Sequence, residues 1–292
     1  MNKSNARLGW LFASPYLIYS LIFFLFPLLW ATYLAFTNWN LIAPDYEFVG
    51  IQNFIQAFFT DTVRAAFFVT YKFLAMFVPI VVAGALFLAV LIHSLPKFKG
   101  LFSVAFFLPY LASGVASAIV VNGILSYNSP FNIWLRGTFG LDINWLGSSL
   151  LAPLIIALMM AWKFAGYYAL LFVAGLESIP KEIYEASAID GAVGWKRFWH
   201  ITLPMLYPSF YTVTILAVGL MFGIFTEPYV LTGGGPDLAT HTWQLEIYSQ
   251  AFERLNAGFG TAIAVINSVV TFGSILVFRK ILEKWGAKHG WE

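Results

Sequence analysis

Lys72 and Lys163 fall inside long apolar stretches of this chain. A charge placed there must be paired, face a cavity or reach an interface. Around Lys163 the spacing is informative. Met160, Lys163, Phe164 and Tyr167 stand at i, i+3, i+4 and i+7, so on a helix they share one face. An ammonium group, two aromatic rings and a thioether looking the same way can hold a ligand, but they form no nucleophile and base pair. The rest of the chain supplies no catalytic set either. It has no cysteine, hence no disulfide, thiolate or Cys-based metal site, and His93, His200, His241 and His289 are scattered without ligand spacing. No Gly-x-x-x-x-Gly-Lys-Ser/Thr loop occurs, so ATP cannot be held in the P-loop manner. If ATP drives this chain, the ATPase is another polypeptide.

The elements that must position these side chains follow from composition. Hydrophobic residues make up 60% and charged residues 10% of the sequence, and the mean hydropathy is +0.78. No soluble core needs that much apolar surface. Runs of the ~20 residues needed to cross a bilayer occur six times, near residues 9–36, 66–92, 101–125, 150–175, 205–230 and 259–281. The expected fold is all-α, a polytopic membrane protein with six transmembrane helices in a single domain, 1–292. A net charge of +2 gives no reason to expect nucleic acid. The cations concentrate at Lys3 and Arg7, Lys97 and Lys99, Lys181, Lys196 and Arg197, and from Arg279 to Lys288, whereas the other three loops hold only Arg64, Arg136 and Arg254. By the positive-inside rule both termini and the segment 176–204 are cytoplasmic. The first apolar run is too long for a signal-peptide core and should remain as an uncleaved anchor.

The 176–204 segment is a polar insert between two apolar stretches. It runs Glu185-Ala186-Ser187-Ala188-Ile189-Asp190-Gly191, then nine residues, then Ile201-Thr202-Leu203-Pro204. Ser178-Ile179-Pro180 starts a helix well, with Glu182 in the electropositive first turn. Gly191 can end it with positive φ. A second short helix is expected over Trp195–Ile201, with Pro204 ending it and starting the fifth span. Small, apolar and acidic residues alternate as in a short helix that must fit a groove on another protein.

Glu185, Ala186, Gly191, Ile201, Leu203 and Pro204 match the cytoplasmic loop of bacterial ABC importer permeases, with Ser187 where a second Ala often stands. Further stretches resemble the carbohydrate-uptake, maltose-type branch: Phe36-Thr37-Asn38-Trp39, Phe48-Val49-Gly50-Ile51-Gln52-Asn53-Phe54, Phe107-Leu108-Pro109-Tyr110 and Leu231-Thr232-Gly233-Gly234-Gly235-Pro236. The chain looks most like the MalF-type half, one of two unlike permease subunits, without additional N-terminal helices or a large extracytoplasmic insertion. The resemblance implies an ABC importer permease fold, with 176–204 as a coupling loop that docks in a nucleotide-binding subunit. Ala186, Ser187 and Ala188 would form its small-residue plug, Glu185 would add a charged contact or a bond within the loop, and Asp190 belongs to the same coupling loop. It further implies a second, non-identical permease, two nucleotide-binding ATPase subunits that hold ATP and Mg, an extracytoplasmic substrate-binding protein and a carbohydrate substrate. No cofactor is expected on this chain itself. The location implied is the bacterial inner membrane.

The same resemblance carries a substrate path onto Met160, Lys163, Phe164 and Tyr167 of the fourth span and Ala217, Met221 and Ile224 of the fifth. Tyr167 keeps an aromatic ring that can stack on a sugar. Ala217, Met221 and Ile224 are apolar where a neutral-sugar site would want hydroxyls and amides, and Lys163 adds a charge. An acidic oligosaccharide or phosphorylated polyol paired with Lys163 fits these departures. The alternatives are that Lys163 snorkels to the interface or pairs with the second permease. Lys72, near the outer end of its span, reads as a snorkelling residue. Gly233-Gly234-Gly235-Pro236 reads as a flexible outer turn, and Glu227 as facing the outer cavity or the partner subunit. The rival class is an ion-coupled secondary transporter, which would need intramembrane acids and often an internal repeat.

Overall fold

The structure, a computed structural model, describes residues 3–43 and 45–290, apart from the side chains of residues 3–8 and of His289. Lys3, Arg7 and His289, as charged or polar groups, therefore lie outside the described residues. The described residues are helical, with one isolated antiparallel bridge between Thr37 and Phe48. In chain order, α1 (Lys3–Ser20) passes through a π-helical turn, Leu21–Leu25, into α2 (Phe26–Leu34). Next come α3 (Gln52–Phe59), α4 (Asp61–Ser94), α5 (Lys99–Leu111), α6 (Gly114–Leu125), α7 (Pro130–Phe139) and α8 (Leu151–Ser178). The polar insert folds as α9 (Lys181–Ile189), α10 (Gly194–Arg197), a second π-helical turn, Phe198–Thr202, and α11 (Leu203–Met205). Then follow α12 (Tyr207–Phe222), α13 (Thr226–Thr232), α14 (Trp243–Tyr248), a third π-helical turn, Ser249–Glu253, and α15 (Ala257–His289).

Among the described residues, four stretches are long and apolar enough to cross a bilayer as single helices: Gly9–Leu34, Asp61–Ser94, Leu151–Ser178 and Ala257–Lys288. The count reaches six only when two bent pairs are each taken as one span. Near 101–125 the expected helix is broken, because the Lys99–Leu111 and Gly114–Phe139 stretches meet at 91°. Pro109 sits in the last turn of α5, Ala112 is extended, and Ser113 Oγ accepts the Ala116 N–H at 3.1 Å as the cap of α6. Ser113 is thus a helix start inside an apolar run. Near 205–230 the expected span is divided among α11, α12 and α13, with a bend of 66° between Gly194–Met205 and Tyr207–Phe222. Pro204 does not end the preceding helix. The Leu203 N–H bonds to Phe198 O in the wider π-helical turn, and the bend falls at Leu206, with Pro208 in the first turn of α12.

Contacts divide the chain into two compact units, residues 1–64 with 246–268 and residues 65–245 with 269–292. In the first unit, Asn53 of α3 is buried and its Nδ2 donates to Ala35 O at 3.0 Å and Thr37 O at 2.8 Å, satisfying carbonyls left open at the end of α2. The Gly258 N–H reaches Trp39 O at 2.9 Å. These bonds give a structural reason for the Phe36–Trp39 and Phe48–Phe54 stretches. Glu246 is buried in the same unit, where its Oε1 accepts from Thr62 Oγ1 at 2.7 Å and from Gln250 Nε2 at 2.8 Å. Trp10, Phe12, Phe23 and Phe26 along α1 and α2 are exposed, a surface that lipid or another subunit must cover.

The core of the second unit joins Phe73, Phe77 and Val81 of α4, Ile156, Met160 and Phe172 of α8, and Val213, Ala217 and Met221 of α12. Helices α5 and α8 approach closely because Gly166 has no side chain: a Cβ there would lie 1.8 Å from Phe106 O. The Gly233–Pro236 turn is knitted rather than loose. The Gly235 N–H bonds to Thr232 O at 3.0 Å, the Thr240 N–H to Gly234 O at 3.2 Å, and Thr240 Oγ1 to Gly235 O at 2.9 Å. Lys72 is half-buried and has no ion-pair partner among the described residues.

Candidate functional site

The polar insert presents a rigid helix whose end is fixed by backbone geometry. At its C-terminus the Gly191 N–H bonds to Ala188 O at 3.1 Å and the Ala192 N–H to Ser187 O at 2.8 Å. Both bonds together make a Schellman cap, and they require the left-handed conformation that Gly191 adopts at φ +72°. Helical rotation then sorts the motif residues. Glu185, Ala186, Ala188, Ile189 and Asp190 point outward, whereas Ser187 is buried and its Oγ donates to Tyr184 O at 2.8 Å. Ser187 therefore faces its own chain, and the outward small-residue surface consists of Ala186 and Ala188 beside Ile189, which is 87% exposed. Val193 and Trp195 continue that exposed apolar edge. Ile201, Leu203 and Pro204 are half-buried and join the insert to α12. The Arg197 guanidinium lies 5.2 Å from the centre of the Tyr184 ring, bracing α9 against α10.

On α8 the four residues expected to share a face do so, but in two environments. Phe164 and Tyr167 are half-buried beside Tyr110 of α5, whose ring stacks on Tyr167 at 4.7 Å with planes 12° apart. Met160 and Lys163 are buried. Ala217, Met221 and Ile224 are buried in the same apolar cluster as Met160, covered by the chain's own side chains. Lys163 neither snorkels nor stands free: Lys163 Nζ donates to Glu227 Oε1 at 3.3 Å, with the two side chains 9% and 8% exposed. Glu227 in turn abuts the first turn of α6, where a Cβ on Gly114 would lie 2.7 Å from Glu227 Oε1.

The sequence reading missed Glu227 as the partner of Lys163, since 64 residues separate them and no local spacing links them. Tyr110 stands in the Phe107–Tyr110 motif, and its position one ring away from Tyr167 comes from the packing of α5 on α8. Among the described residues, no group of three or more His, Asp or Glu is arranged to hold a metal ion.

Residues 6–285 match the family described as binding-protein-dependent transport system inner membrane component. The chain is 33% identical to the multiple sugar-binding transport system permease protein MsmF of Streptococcus mutans serotype c, across 96% of each chain. It is 29% identical to the trehalose/maltose transport system permease protein MalF of Thermococcus litoralis, across 95% of this chain and 94% of that one. Its fold superposes with a TM-score of 0.83, at 21% identity, on a chain of a bacterial ABC transporter involved in the import of the acidic polysaccharide alginate, covering 96% of this chain and 98% of that one.

Proposed function

Since the chain belongs to the family of binding-protein-dependent transport system inner membrane components, we propose that its 176–204 insert is the coupling loop through which a separate ATPase drives it. The chain is a permease subunit of a carbohydrate ABC importer and crosses the inner membrane several times. This places it apart from ion-coupled secondary transporters. The observation that carries the coupling reading is the outward face of α9: Ala186, Ala188 and Ile189 exposed on a helix whose end is locked by the Gly191 cap. Small side chains allow close docking, and Ile189 gives an apolar anchor that water alone would not favour.

The complex proposed contains a second, non-identical permease, two nucleotide-binding ATPase subunits that bind ATP and Mg, and an extracytoplasmic substrate-binding protein. In it, residues 1–292 act as one transmembrane permease domain with both termini and the insert cytoplasmic. Closure of the ATPase pair moves the docked loop, and the bent spans α5–α6 and α11–α12 offer joints at which helices can change angle without breaking hydrogen bonds inside them.

For the substrate path, Tyr110, Phe164 and Tyr167 offer the rings that can stack on a sugar, while Met160, Ala217, Met221 and Ile224 form the apolar wall behind. The charge of Lys163 is already matched by Glu227. An acidic sugar therefore gains Lys163 only by displacing Glu227, and a neutral sugar meets a pair with no net charge.

The absence of native cysteine makes the coupling reading directly testable. With Ala188→Cys in the assembled transporter, a disulfide or short cross-link to a cysteine in the ATPase cleft is expected, with a yield that changes between nucleotide-free and ATP-bound states. Assembly without any cross-link from position 188 in either state would remove the loop from the ATPase interface.

A further inference from the structure

Under the polar insert lies a cavity of ≈ 400 Å³, walled by the end of α4, the end of α8 and the insert itself. That volume is in the range of small-molecule pockets, about 300–1,000 Å³. Ser94 Oγ, on its wall, donates to Leu91 O at 2.8 Å, but other polar groups of the wall have no such partner. Arg197 lines it, held over the Tyr184 ring, with no carboxylate paired to it among the described residues. His93, in the last turn of α4, lines it with an Nδ1 that is buried and has no hydrogen-bond partner among the described residues. Thr202 brings a hydroxyl from the last residue of the π-helical turn, and Phe198, the first residue of that turn, also borders the space. Such turns often occur where a chain departs from regular helix for a functional reason. The charged groups that act on the His93 ring are Lys99 and Glu177, one of each sign.

A guanidinium without a carboxylate, an imidazole nitrogen without a hydrogen-bond partner, which donates when it carries the proton, and a hydroxyl around one cavity complement a tetrahedral oxyanion. We propose that this cavity binds a phosphoryl group, which ties the insert to the ends of α4 and α8. Two sources share that chemistry, the headgroup of an anionic phospholipid and a free phosphate or phosphate ester. Bound there, the group bridges Arg197 of the insert to His93 of a long span, so it stiffens the connection through which the insert's movement reaches the membrane helices. Binding itself is independent of the ATPase reading; only this consequence rests on 176–204 being the coupling loop.

The test uses the full chain purified in detergent and stripped of lipid. One arm measures retention of phosphatidylglycerol against phosphatidylcholine of the same acyl chains by native mass spectrometry; the other follows thermal melting in phosphate against chloride at equal ionic strength. Wild type is expected to retain phosphatidylglycerol preferentially, to be stabilised by phosphate, or both. Arg197→Gln and His93→Phe are expected to weaken that preference at least fivefold, and Arg197→Lys to keep most of it. Preference for phosphatidylglycerol without a phosphate effect assigns a lipid headgroup, and a phosphate effect alone assigns a soluble anion. Monodisperse elution with unchanged helical circular dichroism qualifies each variant, and Thr202→Val serves if Arg197→Gln fails it. No preference in either arm for wild type overturns the proposal, as does equal binding by all qualified variants. Transport measurements do not enter, so failure here leaves the coupling proposal standing.

Discussion

Lys163 and Glu227 meet at 3.3 Å across 64 residues of sequence, and both are nearly shut off from solvent. The pair links α8 to α13, and through Glu227 it touches the start of α6 at Gly114. Three segments that the chain visits at different times are thus tied by one charged contact inside an apolar unit. Desolvating two charges offsets much of their attraction, so the pair is weak ground for stability but a strict constraint on arrangement.

That constraint predicts strong coupling between the two positions. Lys163→Met and Glu227→Gln are each expected to destabilise the chain by about 3–5 kcal/mol, because each leaves a buried charge without its partner. The double variant is expected to lose less than the sum of the two by at least about 1 kcal/mol. Thermal unfolding of the three variants in one detergent measures this. Single effects that simply add would show that the contact carries no energy.

Gly191 supports a second prediction. Its φ of +72° lies in the left-handed region, where a residue with a Cβ pays roughly 1–2 kcal/mol and a β-branched one more. Gly191→Val should therefore release the Ala192 N–H from Ser187 O, seen as faster hydrogen exchange at that amide, and ATP-driven uptake should fall while helices α4 and α8 stay protected. Gly191→Asn should be milder, since Asn tolerates that conformation. Equal exchange at Ala192 in wild type and Gly191→Val would mean that the cap does not hold the end of α9.

The cap was legible in the sequence because it is local. A Gly after a run of small and acidic residues, in a polar insert between apolar stretches, carries its own explanation. The long spans were legible for the same kind of reason, since hydropathy over twenty residues is a local sum. The breaks in the third and fifth spans were legible only in part, since Pro109 marks a kink in the third without showing where the chain turns. Ser113 and Leu206 alter direction without altering hydropathy, and only the cap bond from Ala116 and the displaced Leu203 hydrogen bond reveal them. Glu227 was visible as an acid near a span end, but its partner was not, because nothing in sequence separation encodes which two buried charges meet. Gly166 carried no signal either; its role appears only when Phe106 O comes close enough to exclude a Cβ.

Asn53 leads to a third prediction, away from the transport site. Its Nδ2 serves both Ala35 O and Thr37 O, and it is buried. Asn53→Leu keeps the branched shape but leaves those carbonyls unpaired, at a cost of about 1–3 kcal/mol. Limited proteolysis should then cut the 36–52 segment faster, with the segment around Gly166 unaffected. An unchanged cleavage rate would mean that water replaces the amide without cost.

The last prediction concerns the cargo. Because Glu227 already neutralises Lys163, the two substitutions should move substrate preference in opposite directions. Glu227→Gln frees the ammonium group, and the ratio of acidic to neutral oligosaccharide uptake should rise by about tenfold, equivalent to about 1.4 kcal/mol. Lys163→Met leaves an acid facing the cargo, and the same ratio should fall as far, with complex assembly intact. Liposomes holding the complete transporter, with the binding protein loaded with either sugar, give both ratios from ATPase stimulation and uptake. Stability losses lower both uptakes together and leave the ratio alone, so the ratio isolates the electrostatic contribution. If it stays constant in both variants, Lys163 and Glu227 brace α8 against α13 without contacting the sugar, and cargo selection falls to the rings of Tyr110, Phe164 and Tyr167.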